Sequence, residues 1–141
     1  VSYGGFMTMM AIAKTPDLWA AGVEVVGPFD WRSMLKHADP LIAQYIRSLL
    51  GDPVKDADIY RKTAPITYIG DVKAPLLVLQ GDNDPRIPKE EALQVVDRLK
   101  KDGKVVDAHF YANEGHGFQN EENRFEFYEA MERFLGKHIG G

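Results

Sequence analysis

The 141-residue sequence contains no cysteine, which excludes disulfides, thiolate metal sites and a cysteine nucleophile. No apolar run is long enough to cross a bilayer, so we expect no membrane-spanning segment and no membrane partner. Acidic residues outnumber basic ones by 21 to 17 with the charges interspersed, which argues against a nucleic-acid partner. No pattern for a metal or an organic cofactor is present, and we expect neither. A disulfide-free chain can work inside or outside the cell, and we expect the cytoplasm.

What remains is an ordinary globular composition, with 45% apolar and 27% charged residues. Short apolar runs predict buried strands at AAGVEVVG (residues 20–27), LLVLQG (76–81) and the start of VVDAHFYANEGHGF (105–118). Helical spacing predicts helices over residues 3–14, 39–53, 89–103 and 121–138. We expect the apolar face of the last helix to comprise Phe125, Tyr128, Met131 and Phe134 or Leu135. Alternating strands and helices indicate an α/β fold, a parallel sheet covered on both faces.

The beginning of the sequence predicts an incomplete sheet. VSYGGF has the pattern of a strand-to-helix turn without its strand, and a parallel strand without neighbours leaves an open edge. We therefore expect residues 1–141 to form a partial domain, truncated at this turn. Its open edge would pair with the missing N-terminal part or with a second copy of the chain, and the chain alone would be inactive.

Three polar side chains fall in loops where a doubly wound sheet places functional groups. Ser2 begins the predicted first helix, Asp84 follows the LLVLQG strand, and His116 follows the last strand. Their chain order, serine then aspartate then histidine, is that of α/β-hydrolases. A serine hydroxyl needs a base to take its proton, and a carboxylate fixes the tautomer of that base. The three residues therefore predict a catalytic triad.

The residues that follow Ser2 fit this interpretation. We expect the glycines at positions 4 and 5 to permit φ angles that other residues avoid in a tight turn. The helix N-terminus would then point at the reacting carbonyl, where negative charge develops. The backbone N–H of Tyr3 is the predicted oxyanion donor.

Each triad residue also has a purely structural interpretation. The serine turn could be any turn, and Asp84 could form an Asx turn or a helix cap. Asp82 competes with Asp84 for the role of the acid. The other histidines compete weakly with the Gly-His-Gly loop, because two lie on predicted helical surface and one inside a strand: His37, His138 and His109. The agreement of order, loop position and strand context favours the triad.

With these residues identified, the sequence resembles the prolyl oligopeptidase family of serine peptidases, and its acylaminoacyl-peptidase and dipeptidyl-peptidase branches in particular. VSYGGF resembles the end of the family's Gly-x-Ser-Tyr-Gly-Gly turn. APLLVLQGDNDPRIP resembles the strand that carries Gly-x-x-Asp-x-Arg-Val-Pro, which assigns the acid to Asp84. NEGHGFQNEENRFEFYEAMERFLGKHIGG resembles the histidine loop and closing helix. The tyrosine after Ser2 departs from prolyl oligopeptidase itself, where asparagine is usual.

The resemblance implies the C-terminal part of an α/β-hydrolase catalytic domain, usually preceded by a β-propeller. It implies a serine peptidase that hydrolyses short peptides through an acyl-enzyme, of aminopeptidase, acylaminoacyl-peptidase or oligopeptidase type. Two alternatives remain: a carboxylesterase on the same triad, and a non-catalytic fragment that self-associates through its open sheet edge.

Several further side chains are candidates for contact with the substrate. Arg86 could bind a substrate carboxylate or carbonyl, but we favour an ion pair with Asp82 or Asp84. Three aromatic residues and one acid could line a pocket, with core packing as the equal alternative: Phe29, Trp31, Phe118 and Glu114.

Overall fold

The computed structural model describes residues 1–140 and contains a three-stranded parallel sheet. The strands are β1 (Gly22–Val25), β2 (Leu76–Gly81) and β3 (Val106–Tyr111), in the order β1-β2-β3. Val25 pairs with Leu79 and Gly81 pairs with Tyr111, so the carboxyl ends of all strands lie along one edge. This edge is where a doubly wound sheet collects its functional groups.

Residues 1–140 contain six α-helices: α1 (Tyr3–Lys14), α2 (Trp31–His37), α3 (Pro40–Leu50), α4 (Ala57–Lys62), α5 (Lys89–Lys101) and α6 (Glu121–Ile139). Short 3₁₀ turns span Pro16–Leu18, Pro65–Thr67 and Ile69–Asp71. The helices predicted at both ends of the sequence and after β2 are present with bounds within a few residues. None of the helices in residues 1–140 has the length and hydropathy of a membrane span.

The core has one layer on each face of the sheet, as the predicted fold class requires. Every residue of β2 is buried, because β2 is the central strand and both its faces are covered. On one face α1 and α5 pack on the strands through apolar residues that include Met9, Ile12, Val95 and Leu99. On the other face α6 packs through Ala130 and Phe134. The structure confirms the α/β class.

The segment between β1 and β2 forms a helical cap that includes α2, α3 and α4. Asp39 is the N-cap of α3, because its carboxylate accepts hydrogen bonds from the backbone N–H groups of Leu41 and Ile42 at 2.8 and 3.0 Å. Gly51 ends this helix at a φ of 83°, a conformation that favours glycine. The interior of the cap is a small apolar cluster of Met34, Ile46, Tyr60 and Ile87.

The predicted apolar face of α6 is partly wrong. Phe125 and Tyr128 are 64% and 61% exposed, whereas Ala130 and Phe134 are buried against the sheet. A helix presents only one stripe to a flat sheet, and the stripe through positions 127, 130, 131 and 134 occupies that place. Phe125 and Tyr128, three residues apart, belong to a second stripe that faces away from the sheet.

Candidate active site

Ser2 lies at the start of α1 in a conformation that side-chain-bearing residues rarely adopt. Its φ is 56°, a strain of about 1–3 kcal/mol for a residue other than glycine. The Ser2 N–H donates to the carbonyl oxygen of Val25 at 2.8 Å, and the Ser2 carbonyl accepts from Gly5 N–H at 2.8 Å. These two hydrogen bonds hold Ser2 against the end of β1 on one side and against the first turn of α1 on the other.

The two glycines of this turn do not have the role that the sequence suggested. Within the described chain, glycines with positive φ occur only at positions 51 and 103, and here it is Ser2 that has the left-handed backbone. Gly5 is required for another reason, since a Cβ there would lie 2.9 Å from the Cα of Gly27. A Cβ at Gly4 would meet nothing within 4 Å. This turn therefore requires glycine at position 5 because of close packing against Gly27, and not because of a positive φ angle.

Asp84 lies in the loop after β2, with its side chain fully buried. Its Oδ1 accepts hydrogen bonds from the backbone N–H groups of Arg86 and Ile87, both at 2.9 Å. Its Oδ2 lies 2.8 Å from Nδ1 of His116. Asp82, the competing acid, instead forms a half-exposed ion pair with Lys89 at 3.9 Å. The structure therefore brings Asp84, and not Asp82, to the histidine.

His116 links the two other residues from the loop after β3. Its Nε2 lies 2.9 Å from Oγ of Ser2, and its Nδ1 faces Asp84. A carboxylate can only accept, so the proton of the neutral imidazole belongs on Nδ1, and Nε2 is free to accept the Ser2 hydroxyl proton. Ser2, His116 and Asp84 form a continuous chain of hydrogen bonds across three loops. The other three histidines lie elsewhere, two on helices and one within β3.

The histidine loop is held by a buried carboxylate, that of Glu114, for which the sequence left a pocket wall and core packing as alternatives. Glu114 is 2% exposed and accepts from the N–H groups of Gln119 and Asn120 and from the side chain of Asn123, at 2.8, 2.8 and 2.9 Å. Burial raises the pKa of Glu114, but the three hydrogen bonds outweigh it and hold the pKa below its usual value. Glu114 is thus buried within the loop and stabilises it, in agreement with the alternative of core packing.

The loops after β2 and β3 are also packed directly on each other. Asn83 donates from its backbone to the Glu114 carbonyl at 2.9 Å and from its side chain to the Ala112 carbonyl at 2.7 Å. A Cβ on Gly81 would lie 2.2 Å from the Gly115 carbonyl oxygen, so only glycine fits at the end of β2. Sequence reasoning missed both residues. The glycine that ends LLVLQG was the one available signal.

The backbone N–H of Tyr3, the predicted oxyanion donor, occupies the first position of α1. An N–H at this position has no acceptor within its own helix. The first turn of α1 itself carries no acidic residue, and the N-terminus of a helix is the positive end of its dipole. The arrangement leaves a donor and a favourable field beside the Ser2 hydroxyl.

A mainly apolar cavity of about 410 Å³ opens beside Ser2 and His116. Helices α2 and α3 supply about half of its wall, including Trp31, Met34, Tyr45, Ile46 and Leu49. Within residues 1–140, no acidic side chain lines it. Such a cavity fits an uncharged apolar group of a bound molecule.

Arg86 lies at this cavity and not in the ion pair that we favoured from the sequence. Among residues 1–140 its guanidinium forms no salt bridge, and only its backbone N–H contacts Asp84. The expected ion pair with either aspartate is therefore wrong. The exposed guanidinium is free to meet an oxygen of a molecule bound in the cavity.

The three aromatic candidates lie in three different places. Trp31 lines the cavity, where its Nε1–H donates to the Thr63 carbonyl at 3.0 Å. Phe29 is 1% exposed and belongs to the core beneath α1 and α5, which corrects the expectation of a pocket wall. Phe118 packs on Tyr111 and lines a smaller groove of about 160 Å³ on the other side of His116. No group of three or more acidic or histidine side chains in the described chain could hold a metal ion.

Comparison with known proteins gives concordant results. The chain is 37% identical over 145 residues to dipeptidyl aminopeptidase BIII of Pseudoxanthomonas mexicana, covering 99% of this chain and 21% of that protein. It is 32% identical over 146 residues to dipeptidyl peptidase family member 6 of Caenorhabditis elegans, covering 99% of this chain and 20% of that protein. The chain thus spans about a fifth of the length of these relatives.

Solved structures of α/β-hydrolase peptidases superpose on the whole fold. The acylaminoacyl peptidase of Pyrococcus horikoshii matches with a TM-score of 0.91 and 28% identity, over 99% of this chain and 23% of that one. A puromycin-hydrolysing peptidase of Mycobacterium tuberculosis matches with a TM-score of 0.92 and 27% identity, over 99% and 21%. The sequence profile of the prolyl oligopeptidase family matches residues 1–141. The chain therefore belongs to the prolyl oligopeptidase family of serine peptidases.

Proposed function

We propose that the protein is a peptidase that hydrolyses short peptides through an acyl-enzyme formed on Ser2. The observation that carries this proposal is the hydrogen-bonded chain from Ser2 Oγ through His116 to Asp84, with spacings of 2.9 and 2.8 Å. Nucleophilic catalysis by serine needs this contact between hydroxyl, base and orienting acid. Family membership supports the same chemistry.

The reaction follows from the donors and acceptors of the site. His116 Nε2 takes the proton of the Ser2 hydroxyl while Oγ bonds to the substrate carbonyl carbon. The carbonyl oxygen becomes an oxyanion that the Tyr3 N–H stabilises, a contribution of about 3 kcal/mol for one such donor. His116 then gives its proton to the leaving amine as the C–N bond breaks. His116 then takes a proton from a water molecule, which attacks the resulting ester. As the bond to Oγ breaks, His116 returns this proton to Ser2 and the acid is released.

Asp84 acts on His116 and not on the substrate. Its Oδ1 is held by two backbone N–H groups, so the orientation of the carboxylate is fixed before the reaction starts. Oδ2 keeps the proton on Nδ1 and stabilises the imidazolium that forms during proton transfer.

The cavity supports a preference for peptides with a large apolar residue on the acyl side of the cleaved bond. It lies beside Ser2, and its lining includes aromatic and aliphatic side chains from three helices. Arg86 is the one lysine or arginine among its lining residues in the described chain. An acylaminoacyl peptidase that is 28% identical to this chain has been solved with the inhibitor Z-Gly-Gly-Phe-chloromethyl ketone, which carries a phenylalanine. Arg86 would bind a carbonyl or carboxylate oxygen of the same substrate.

We also propose that residues 1–141 form part of a larger α/β-hydrolase domain. β1 is an edge strand of the sheet in the described chain, and its residue Val25 already accepts a backbone hydrogen bond from Ser2. A further strand, or a second copy of the chain, would satisfy the remaining edge groups. The cytoplasmic location stays a prediction.

The test compares two substrates with the same acyl group, an aminoacyl arylamide with phenylalanine and the corresponding nitrophenyl ester. The protein is expressed from its complete natural reading frame, with Ser2→Ala as the matched variant. We expect hydrolysis of both substrates and loss of both activities in the variant. Hydrolysis of the ester alone would favour a carboxylesterase on the same triad, and activity that survives Ser2→Ala would refute the site.

A further inference from the structure

Glu24 is a buried acid that the proposed reaction does not use. It lies in the middle of β1 and is 0% exposed. Its Oε2 accepts a hydrogen bond from the Gly27 N–H at 2.8 Å. Its Oε1 is buried and has no hydrogen-bond partner within residues 1–140. Burial of a carboxyl group with one partner is unfavourable, so its position calls for a physical reason.

The carboxyl group lies between the serine turn and the bend that follows β1. A Cβ placed on Gly5 would lie 2.8 Å from Oε2 of Glu24, and one placed on Gly27 would lie 2.7 Å from the same oxygen. The Gly27 Cβ would also lie 2.8 Å from the backbone nitrogen of Phe6. The first turn of α1, the carboxyl group and the bend are therefore in direct contact.

The bend itself is strained. Val26 has a φ of 48°, a left-handed conformation that is a clear outlier for a β-branched residue. Strain of this kind persists only where neighbouring contacts hold the backbone in place. Two such contacts are present, Val26 N–H to the Leu79 carbonyl at 3.0 Å and Gly27 N–H to Glu24 at 2.8 Å. The preceding carbonyl, that of Val25, accepts from the Ser2 N–H.

We propose that Glu24 is a positioning residue for the nucleophile, because its carboxyl group holds the strained bend after β1 against the turn that carries Ser2. Glu24 touches neither the substrate nor the reacting atoms and acts through Val26 and Gly27. This inference rests on the proposed function of Ser2 as the nucleophile.

The charge state of Glu24 gives the proposal a distinctive readout. Burial raises the pKa of Glu24 to about 8. The Gly27 N–H lowers this pKa, whereas the nearby acid Glu91 on α5 raises it further. The carboxyl group is therefore uncharged at neutral pH and ionises in weakly alkaline solution. Ionisation places a poorly solvated charge inside the contact, which disfavours the packing that holds Ser2.

The first experiment measures kcat and KM against pH for the protein expressed from its complete natural reading frame. For the wild type we expect kcat to fall above about pH 8, where Glu24 ionises, while KM stays constant. Glu24→Gln keeps the shape and the acceptor for Gly27 but cannot ionise, so its kcat should show no alkaline decline. The matched control is Glu132→Gln, the same change at an exposed position of α6, which should retain the decline.

The second experiment couples Glu24 to the strained bend. Glu24→Ala should lower kcat about a hundredfold without a matching rise in KM, the usual effect of a misplacement of about 1 Å. Adding Val26→Gly removes the strain, because glycine adopts positive φ freely, and should restore kcat about tenfold. Val26→Ala in the same background keeps the strain and should restore nothing.

Several results would overturn the positioning role. They are an alkaline decline that persists in Glu24→Gln, a wild type with no decline, a Glu24→Gln protein that does not fold, and a Val26→Gly change that restores no activity. Fluorophosphonate labelling of Ser2 in the wild type separates this from the proposed function. If Ser2 is not labelled, its role as the nucleophile is refuted. If Ser2 is labelled but kcat shows no alkaline decline, only the role of Glu24 is refuted.

Discussion

Replacing Asp84 with asparagine should disable the base while leaving the loop intact. Two backbone N–H groups, those of Arg86 and Ile87, donate to Oδ1 at 2.9 Å. An asparagine must keep its carbonyl oxygen at this place, since its NH₂ group cannot accept these bonds. The NH₂ group then faces Nδ1 of His116 and donates to it. Nδ1 becomes the acceptor, the proton moves to Nε2, and Nε2 can no longer take the Ser2 proton.

The magnitude follows from the loss of the reactive tautomer. The same change in a serine protease lowers kcat about 10⁴-fold with the geometry intact, which corresponds to about 5.5 kcal/mol of transition-state stabilisation. We expect a loss of this order here, because the backbone N–H groups orient the amide in only one way. The free energy of unfolding should change little in comparison, since both backbone hydrogen bonds to Oδ1 remain.

The assay is arylamide hydrolysis at substrate saturation, with thermal unfolding measured on the same samples. Asp82→Asn is the matched control, because its half-exposed ion pair with Lys89 is 3.9 Å long and contributes at most about 1 kcal/mol. It should leave kcat within a few-fold of the wild type. A mild effect of Asp84→Asn together with a severe effect of Asp82→Asn would refute the reasoning.

Three further predictions concern the surroundings of the triad. Gly81→Ala should lower the free energy of unfolding by about 1–3 kcal/mol and reduce kcat, because the added Cβ would lie 2.2 Å from a backbone oxygen. The matched control is Gly136→Ala in α6, where a Cβ meets no atom within 4 Å; it should stabilise the protein by up to about 1 kcal/mol. Glu114→Gln should destabilise by about 1–3 kcal/mol at neutral pH in chemical denaturation, because one accepting oxygen becomes a donor that faces donors. The folded-state pKa of Glu114 lies below its usual value of 4.5. The stability that the ionised side chain contributes is therefore present above pH 4.5 and disappears as the pH falls. The difference in unfolding free energy between wild type and variant should shrink in acid, and a constant difference would contradict this. Leu49→Glu adds a carboxylate to the cavity wall at a 59% exposed position. Because this carboxylate attracts a lysine side chain, the ratio of kcat/KM for a lysyl over a phenylalanyl arylamide should rise about fivefold. Leu41→Glu on the same helix should not change this ratio.

Much of this architecture could be predicted from local patterns. The LLVLQG segment is mostly apolar because β2 is covered on both faces of the sheet. Asp39 precedes the first residue of α3 and Gly51 follows its last, and both residues act on backbone groups only a few positions away. The strand-loop context of Ser2, Asp84 and His116 was also visible, because parallel strands place their carboxyl ends at a common edge.

The remainder depends on contacts between distant parts of the chain. Phe29 is a core residue, and its backbone is held by Glu91 across 62 positions, a pairing that no local pattern encodes. Periodicity identified apolar residues on α6 but not which of two stripes faces the sheet, so Phe125 was misplaced. The buried state of Glu24 was hidden for the same reason, since a single acid in a strand gives no sign of its neighbours.

The most direct test of the central claim is to react the protein, expressed from its complete natural reading frame, with a fluorophosphonate and to map the adduct by mass spectrometry. We expect one adduct within residues 1–141, on Ser2, because its Oγ lies 2.9 Å from Nε2 of His116 and the carboxylate of Asp84 lies 2.8 Å from the other ring nitrogen. The hydroxyl of Ser33 lies farther from an imidazole, 3.4 Å from Nδ1 of His37. Ser2→Ala should abolish labelling, while Ser48→Ala, at an exposed site on α3, should leave it unchanged. Labelling on Ser33 or Ser48, or labelling that persists in Ser2→Ala, would contradict the account.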